Sequence, residues 1–85
     1  MDKTIKVILL TNSERLISEI TEVGADVGEP DCRLTKPYEI WAEHNLCAWM
    51  STDTDQDTFM ISSDKIITIA DSNSDLLKKY LEKIN

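Results

Sequence analysis

The stretch that most constrains the fold is residues 60–71, with the sequence M-I-S-S-D-K-I-I-T-I-A-D. Two short runs rich in β-branched and apolar residues, 59–61 and 66–70, flank the four polar residues 62–65. A polar corner between two such runs turns one strand into the next, and the short Asp64 side chain is predicted to accept hydrogen bonds from backbone N–H groups within the turn. The stretch therefore indicates two successive strands of a small all-β domain.

The N-terminal part of the chain predicts a β-hairpin. Residues 5–10 (I-K-V-I-L-L) are apolar and too few for a stable helix, which favours a strand. The polar cluster 11–14 contains Asn12, which tolerates left-handed backbone and is predicted to form a tight turn. Residues 15–23 resume as a second strand, and a shift in the phase of their apolar positions near Ser18 indicates a strong bend.

The middle of the chain predicts a loop and two further strands. Residues 24–31 hold both glycines and one of the two prolines, which is typical of a loop. Residues 32–43 are predicted to form the third strand, in which Pro37 marks an edge, a bulge or a bend because it cannot donate a ladder hydrogen bond. Residues 46–61 are predicted to form one long fourth strand, interrupted by a bulge or loop at the acidic residues 53–57. Three apolar positions of the third strand fall in one phase: Leu34, Tyr38 and Ile40.

The C-terminal residues change from a two-residue to a helical period. Ser72 and Asp75 have the spacing of a capping box at a helix start. A helix over about residues 73–84 would carry one apolar face, which is expected to pack on the open end of a barrel. That face consists of Leu76, Leu77, Tyr80, Leu81 and Ile84.

Length and composition limit the class of protein. Eighty-five residues predict a single domain, residues 1–85, with a barrel over about residues 4–70. A hydrophobic content of 41% with 29% charged residues is typical of a globular chain. No run approaches the roughly 18 apolar residues that a membrane helix needs, and the first residues do not resemble a signal peptide. The expected location is the cytoplasm, with no membrane partner.

The charge balance argues against non-specific nucleic-acid binding. Sixteen acidic and nine basic residues give a formal net charge of −7, whereas such binding depends on Lys and Arg to neutralise phosphates. A nucleic-acid site on this chain would therefore have to be small and focused.

The residues that could carry catalysis or bind a metal are few. His44 is the only histidine, so neither a Ser-His-Asp arrangement nor a His-rich zinc site has its parts. Cys32 and Cys47 do not form a C-x-x-C motif and are interpreted as small buried apolar residues. Trp41 and Trp49 could stack on bases, but core or subunit-interface packing is favoured at this spacing. We expect no enzyme and no cofactor.

One acidic stretch has the spacing of a calcium loop. Asp53, Asp55 and Asp57 copy the first three ligand positions, and Asp64 falls at the twelfth. Thr58 occupies the position where glycine makes the sharp turn, and Asp64 replaces the usual bidentate Glu. A solvated acidic loop is therefore favoured, and no metal is expected.

Two motifs resemble those of the Sm-like (LSm/Hfq-type) family. The first is an apolar strand, a polar turn and a bent strand, seen here in residues 7–23 (V-I-L-L-T-N-S-E-R-L-I-S-E-I-T-E-V). The second is a strand, a corner and an apolar strand, seen in residues 60–69 (M-I-S-S-D-K-I-I-T-I). The chain is most similar in look to small Sm-like proteins of marine cyanophage type, which share a terminal strand followed by a Ser-capped helix. The resemblance implies a mostly β fold, a small, five-stranded, strongly bent Sm-like (SH3-like) barrel with a C-terminal α-helix.

The resemblance also implies assembly. Family members form closed rings in which the fourth strand of one subunit pairs with the fifth strand of the next, so we expect a homo-oligomer of about five to seven copies. Such a ring would also explain why strand one is apolar on both faces, with Val7 and Leu9 in one phase and Ile8 and Leu10 in the other. A phage-encoded protein of this kind would act in the cytoplasm of the host cell.

The candidate ligand is single-stranded RNA or DNA. Family RNA sites use an Arg and a Gly at the corner, where this chain has Ser62 and Ser63, and only Asp64 carries over, as a turn-forming residue. The predicted nucleic-acid contacts, by resemblance and charge, are Ser62, Ser63, Lys65, Arg33 and Lys36. The alternative is a protein–protein interaction module with an acidic surface and no nucleic-acid binding. Convergence of the three basic side chains on one face favours the first interpretation, and an acidic rim favours the second.

Overall fold

The protein is mostly β, as the sequence predicts, in a computed structural model that describes residues 4–85. A six-stranded antiparallel open sheet is followed by one C-terminal α-helix. Within these residues, no helix combines the length and the apolar character required to cross a membrane. The elements are β1 (Ile5–Leu10), β2 (Arg15–Glu22), β3 (Cys32–Ile40), β4 (Leu46–Ala48), β5 (Thr58–Ile61), β6 (Ile66–Asp71) and α1 (Ser74–Ile84).

The sheet has one strand more than predicted. Its order is β4-β3-β2-β1-β6, and β5 also pairs with β3. The predicted fourth strand is present as two separate strands, because residues 49–57, which include the predicted interruption at 53–57, form a loop that separates β4 from β5. β4 pairs with the second half of β3, from Tyr38 to Ile40, and β5 pairs with the first half, from Cys32 to Thr35.

The hairpin of β1 and β2 turns at residues 11–14. Asn12 Oδ1 accepts a hydrogen bond of 3.0 Å from the backbone N–H of Glu14, and Ser13 adopts a left-handed conformation with φ of 72°. Both features produce a tight turn that leaves the strands paired, with Leu9 opposite Arg15.

A β-bulge bends the sheet at Ser18 of β2. Ile17 pairs with Tyr38 and Glu19 with Thr35, so one residue of β2 faces two of β3, Lys36 and Pro37. Lys36 has a positive φ of 52°. Pro37 has no backbone N–H, so its place in the bulge leaves no donor without a hydrogen-bond partner in the ladder. The bulge shifts the alternation of β3 by one residue.

The shift places Leu34 and Ile40 of β3 on opposite faces of the sheet, although the sequence pattern assigned them to one phase. Leu34 belongs to an inner cluster on one face, whereas Ile40 belongs to a helix-side cluster on the other, with Tyr38 packed against it. The prediction of one shared phase was therefore wrong, since a bulge reverses the side of every following residue. The inner cluster consists of Ile8, Leu10, Leu16, Ile20, Cys32 and Leu34. The buried members of the helix-side cluster are Ile17, Ile40, Leu76 and Tyr80.

The helix α1 covers the second face of the sheet. Leu76 and Tyr80 are buried there, and Ile5 and Val7 of β1 pack against the same cluster. Both faces of β1 are thus covered within one chain, the first by the inner cluster and the second by α1. A neighbouring subunit is not needed to explain the apolar pattern of β1, because α1 takes that place.

The helix begins one residue later than the capping prediction. Asn73, rather than Ser72, is the N-cap, and its Oδ1 accepts a hydrogen bond of 2.9 Å from the backbone N–H of Leu76. The Ser72 hydroxyl donates to the carbonyl of Asn73. Asn and Ser are comparable caps, so the choice depends on where the chain leaves β6.

Candidate functional site

The corner between β5 and β6 is a one-turn 3-10 helix, Ser63–Lys65. The Asp31 carboxylate accepts hydrogen bonds of 2.7 Å from both the backbone N–H and the hydroxyl of Ser63. The side-chain bond from Ser63, followed by the backbone bond, lowers the pKa of Asp31 from its usual value. Within residues 4–85 the Asp64 side chain accepts no hydrogen bond. Asp31, from the loop before β3, therefore accepts the hydrogen bonds from the corner that the sequence predicted for Asp64.

Of the two basic residues predicted to lie near the corner, Arg33 is two residues from Asp31, which bonds Ser63 of the corner, whereas Lys36 lies beside the opposite end of β5. Arg33 pairs with Met60 in the β3–β5 ladder and is exposed. The Lys65 carbonyl accepts a hydrogen bond of 2.9 Å from the backbone N–H of Thr11. Lys36 lies at the β-bulge, where its backbone N–H donates to the Asp57 carbonyl at 2.6 Å. Lys36 and Ser63 line different clefts of the protein.

The cleft that Ser63 lines is the larger of the two and is here called the edge cleft. It opens between β6 and the inner face of the sheet. It has a volume of about 770 Å³. Ile20 and Cys32 of the inner cluster line it together with Ile67 and Ile69 of β6. Ile67 is 60% exposed and Ile69 is 46% exposed, although Ile69 pairs with the fully buried Ile8. The edge cleft therefore leaves part of the inner face uncovered.

One end of the edge cleft carries polar side chains. Lys6 and Glu22 line the cleft, and Ser63 of the corner also reaches it. The Lys6 ammonium is ion-paired with the carboxylate of Asp71, and this hydrogen bond lowers the pKa of Asp71. The positive charge of Lys6 is thus already partnered within the chain.

The smaller cleft, here called the bulge cleft, lies where β4 and β5 separate along β3. It has a volume of about 220 Å³ and is lined by Lys36 and Lys83. Three aromatic side chains, Tyr38, Trp49 and Phe59, line it as well. Sequence reasoning missed Lys83 as a neighbour of Lys36. The only sequence signal was Pro37, which marked a bulge or bend without indicating what packs beside it.

The acidic loop and the two cysteines contain residues with metal-binding chemistry. Among the described residues, no group of three His, Cys, Asp or Glu side chains is arranged to hold a metal ion, which includes Asp53, Asp55 and Asp57. Both cysteines are free thiols. Cys32 is buried in the inner cluster, and burial raises the pKa of its thiol, which keeps the thiol protonated and unreactive.

Together, the fold and its clefts define a small, mostly β protein with a bent open sheet, a C-terminal helix on one face and uncovered apolar residues at one sheet edge. The chain belongs to DUF6561, a family of unknown function, whose sequence profile matches residues 3–85. No curated protein matches the chain. The features of the chain that bear on function are therefore the two clefts and the sheet edges.

Proposed function

We propose that the protein is a non-catalytic, ring-forming protein of the Sm-like type that binds single-stranded nucleic acid. In this proposal the bent sheet is one subunit's share of a closed ring of about five to seven copies. The edge of β5 in one subunit pairs with the edge of β6 in the next.

The main support for the proposal is the position of the two edge strands, β5 and β6. β6 pairs with β1 at one end of the sheet, and β5 pairs with β3 near the other end. Only residues 62–65 connect them, which bridge at most about 18 Å. In a flat sheet four strand spacings, about 19 Å in all, would separate β5 from β6, so the short connection fits a curled sheet, and β5 and β6 do not pair within the described chain. Each strand keeps one free backbone edge.

Apolar exposure at these strands supports pairing with another copy. Ile67 and Ile69 on β6 and Met60 on β5 are exposed. An unpaired edge strand with exposed apolar side chains is an aggregation hazard in a monomer. A strand of a second copy placed beside β6 would satisfy the backbone edge and cover the open side of the edge cleft.

A double substitution at β6 tests the assembly. Ile67→Lys with Ile69→Lys puts two charges on the proposed interface, and both residues are exposed in the single chain, so the fold should tolerate the change. We expect native mass spectrometry to give about five to seven copies for the wild type and smaller species for the variant. Val27→Lys is the matched control, because Val27 is fully exposed in a loop. A monomeric wild type at micromolar concentration would refute the ring.

The ligand needs a separate test, since ring formation does not require nucleic acid. Gel-shift or anisotropy measurements at low salt should detect binding of short single-stranded RNA or DNA. The alternative function is a protein-interaction module with an acidic surface, which the net charge of −7 and the ion-paired state of Lys6 favour. An intact ring that binds neither nucleic acid would support this alternative.

A further inference from the structure

The bulge cleft is held open by hydrogen bonds to its own backbone. The N–H of Lys36 donates to the Asp57 carbonyl at 2.6 Å, and the Pro37 carbonyl accepts from the N–H of Trp49 at 3.0 Å. The Tyr80 hydroxyl donates to the Lys36 carbonyl at 2.8 Å. Because the loop between β4 and β5 and the helix α1 are both bonded to the bulge, the cleft is a preformed gap between fixed elements.

The cleft presents aromatic surface over part of its lining. Trp49 and Phe59 contact each other edge to face, with ring centroids 5.3 Å apart, and Tyr38 lies on the side nearest α1. The Trp49 indole N–H is 3.3 Å from a carboxylate oxygen of Glu14, which fixes the orientation of its ring. Aromatic faces of this kind stack on nucleobases regardless of sequence.

The charged groups of the cleft are two lysines and one carboxylate. Lys36 comes from the bulge of β3 and Lys83 from the last turn of α1, and both are exposed. Asp57 lines the same cleft and supplies a carboxylate. Two ammonium groups suit a phosphate, whereas a carboxylate suits the exocyclic amino group that adenine and cytosine have and uracil lacks.

We propose that the bulge cleft binds one nucleotide unit, with the base against the aromatic side chains and the phosphate between Lys36 and Lys83. The volume of about 220 Å³ lies below the range of about 300–1,000 Å³ of pockets for drug-sized ligands, which suits a single base. The nucleotide can be free or part of a single strand. This inference rests on the proposed function where the source is nucleic acid, and it moves the contact from the corner at Ser63 to the bulge.

The experiment uses the fluorescence of Trp49 in the full-length chain. Trp41→Phe, at an exposed site outside the cleft, leaves Trp49 as the only tryptophan. Adenosine monophosphate, uridine monophosphate and short adenine-rich and uracil-rich single strands are titrated into this variant. We expect adenine ligands to quench Trp49 and to bind more tightly than uracil ligands.

Lysine substitutions in the Trp41→Phe variant test whether the ligand binds in the bulge cleft. Lys36→Gln and Lys83→Gln are each expected to weaken binding about fivefold, and the double variant about twenty-fivefold if the effects add. For oligonucleotides, each substitution should also reduce the slope of log K against log salt by about 0.7. Lys78→Gln is the matched control, because Lys78 is an exposed lysine of α1 that does not line the cleft.

The outcomes separate this inference from the proposed function. Strands that bind equally well to the double variant and the wild type would overturn the bulge site while leaving nucleic-acid binding intact. Monophosphate binding that depends on the two lysines, without strand binding, would support the cleft as a free-nucleotide site and refute the nucleic-acid function. Binding of neither ligand would overturn both.

Discussion

Replacing Tyr80 with Phe tests the hydrogen bond that joins α1 to the sheet. Tyr80 is 1% exposed, and its hydroxyl donates to the Lys36 carbonyl at 2.8 Å and lies 3.4 Å from the Thr35 carbonyl. The Thr35 carbonyl also accepts from the Ser18 hydroxyl, so the Lys36 carbonyl is the group that loses its partner. A buried acceptor left unpaired costs about 1–3 kcal/mol, and we expect this loss in the free energy of unfolding at pH 7.

The same substitution should remove part of the pH dependence of stability. Burial raises the pKa of Tyr80 to about 12 from the ordinary value of 10.0. The neutral phenol is the form that the folded state favours, so its contribution is complete below pH 10 and is lost as the pH rises from 10 towards 12. Two pKa units correspond to roughly 3 kcal/mol at full ionisation. Tyr80→Phe should therefore lose less stability than the wild type over this range.

Urea unfolding, followed by tryptophan fluorescence at pH 7 to 11.5, measures both effects. All samples need the same protomer concentration, because assembly adds to the apparent stability. Tyr38→Phe is the control, since the Tyr38 hydroxyl has no hydrogen bond among the described residues and its ring, 5.8 Å from that of Tyr80, is retained. A Tyr80→Phe variant within about 0.5 kcal/mol of the wild type at pH 7, with the same alkaline loss, would refute the reasoning.

Two further substitutions test the helix cap and the corner. Asn73→Ala should lower the free energy of unfolding by about 1 kcal/mol, and Ser72→Ala should cost less in the same thermal melts monitored by circular dichroism; the reverse order would restore Ser72 as the cap. Asp31→Asn should remove an acid-sensitive contribution to stability: because hydrogen bonds from Ser63 lower the pKa of Asp31, this contribution is present above the ordinary value of 3.8 and is lost as the pH falls through the folded-state pKa. Identical acid-unfolding curves for the Asp31→Asn variant and the wild type would contradict the assignment.

The elements that sequence predicted well depend on neighbours in the chain. The hairpin of β1 and β2 follows from two apolar runs and the turn at Asn12, whose side chain bonds two residues away. The helix over Ser74–Ile84 follows from a helical period of apolar residues, and its predicted bounds differ by one residue at the start. Local hydrogen bonds and periodicity carry this information, so it can be read without a tertiary structure.

The corner between β5 and β6 could be predicted only in part from its own residues. A polar turn at residues 62–65 was predictable from composition, and the 3-10 turn Ser63–Lys65 lies there. Its hydrogen-bond acceptor is Asp31, far away in sequence. Asp64 has the residue type that a turn favours, but a nearby carboxylate from another loop takes the role, and no property of residues 60–71 indicates it.

A mostly β chain, its hairpin, its C-terminal helix and its acidic charge follow from the order of residues alone, because period, turn residues and composition act over a few residues. The packed chain was needed to establish that the bulge at Lys36 and Pro37 turns Leu34 and Ile40 to opposite faces, and that residues 49–57 leave the sheet. It also brought Lys83 beside Lys36, residues that lie far apart in the chain. Such contacts depend on how the sheet bends and where α1 packs, and these depend on the burial of side chains from the whole chain at once.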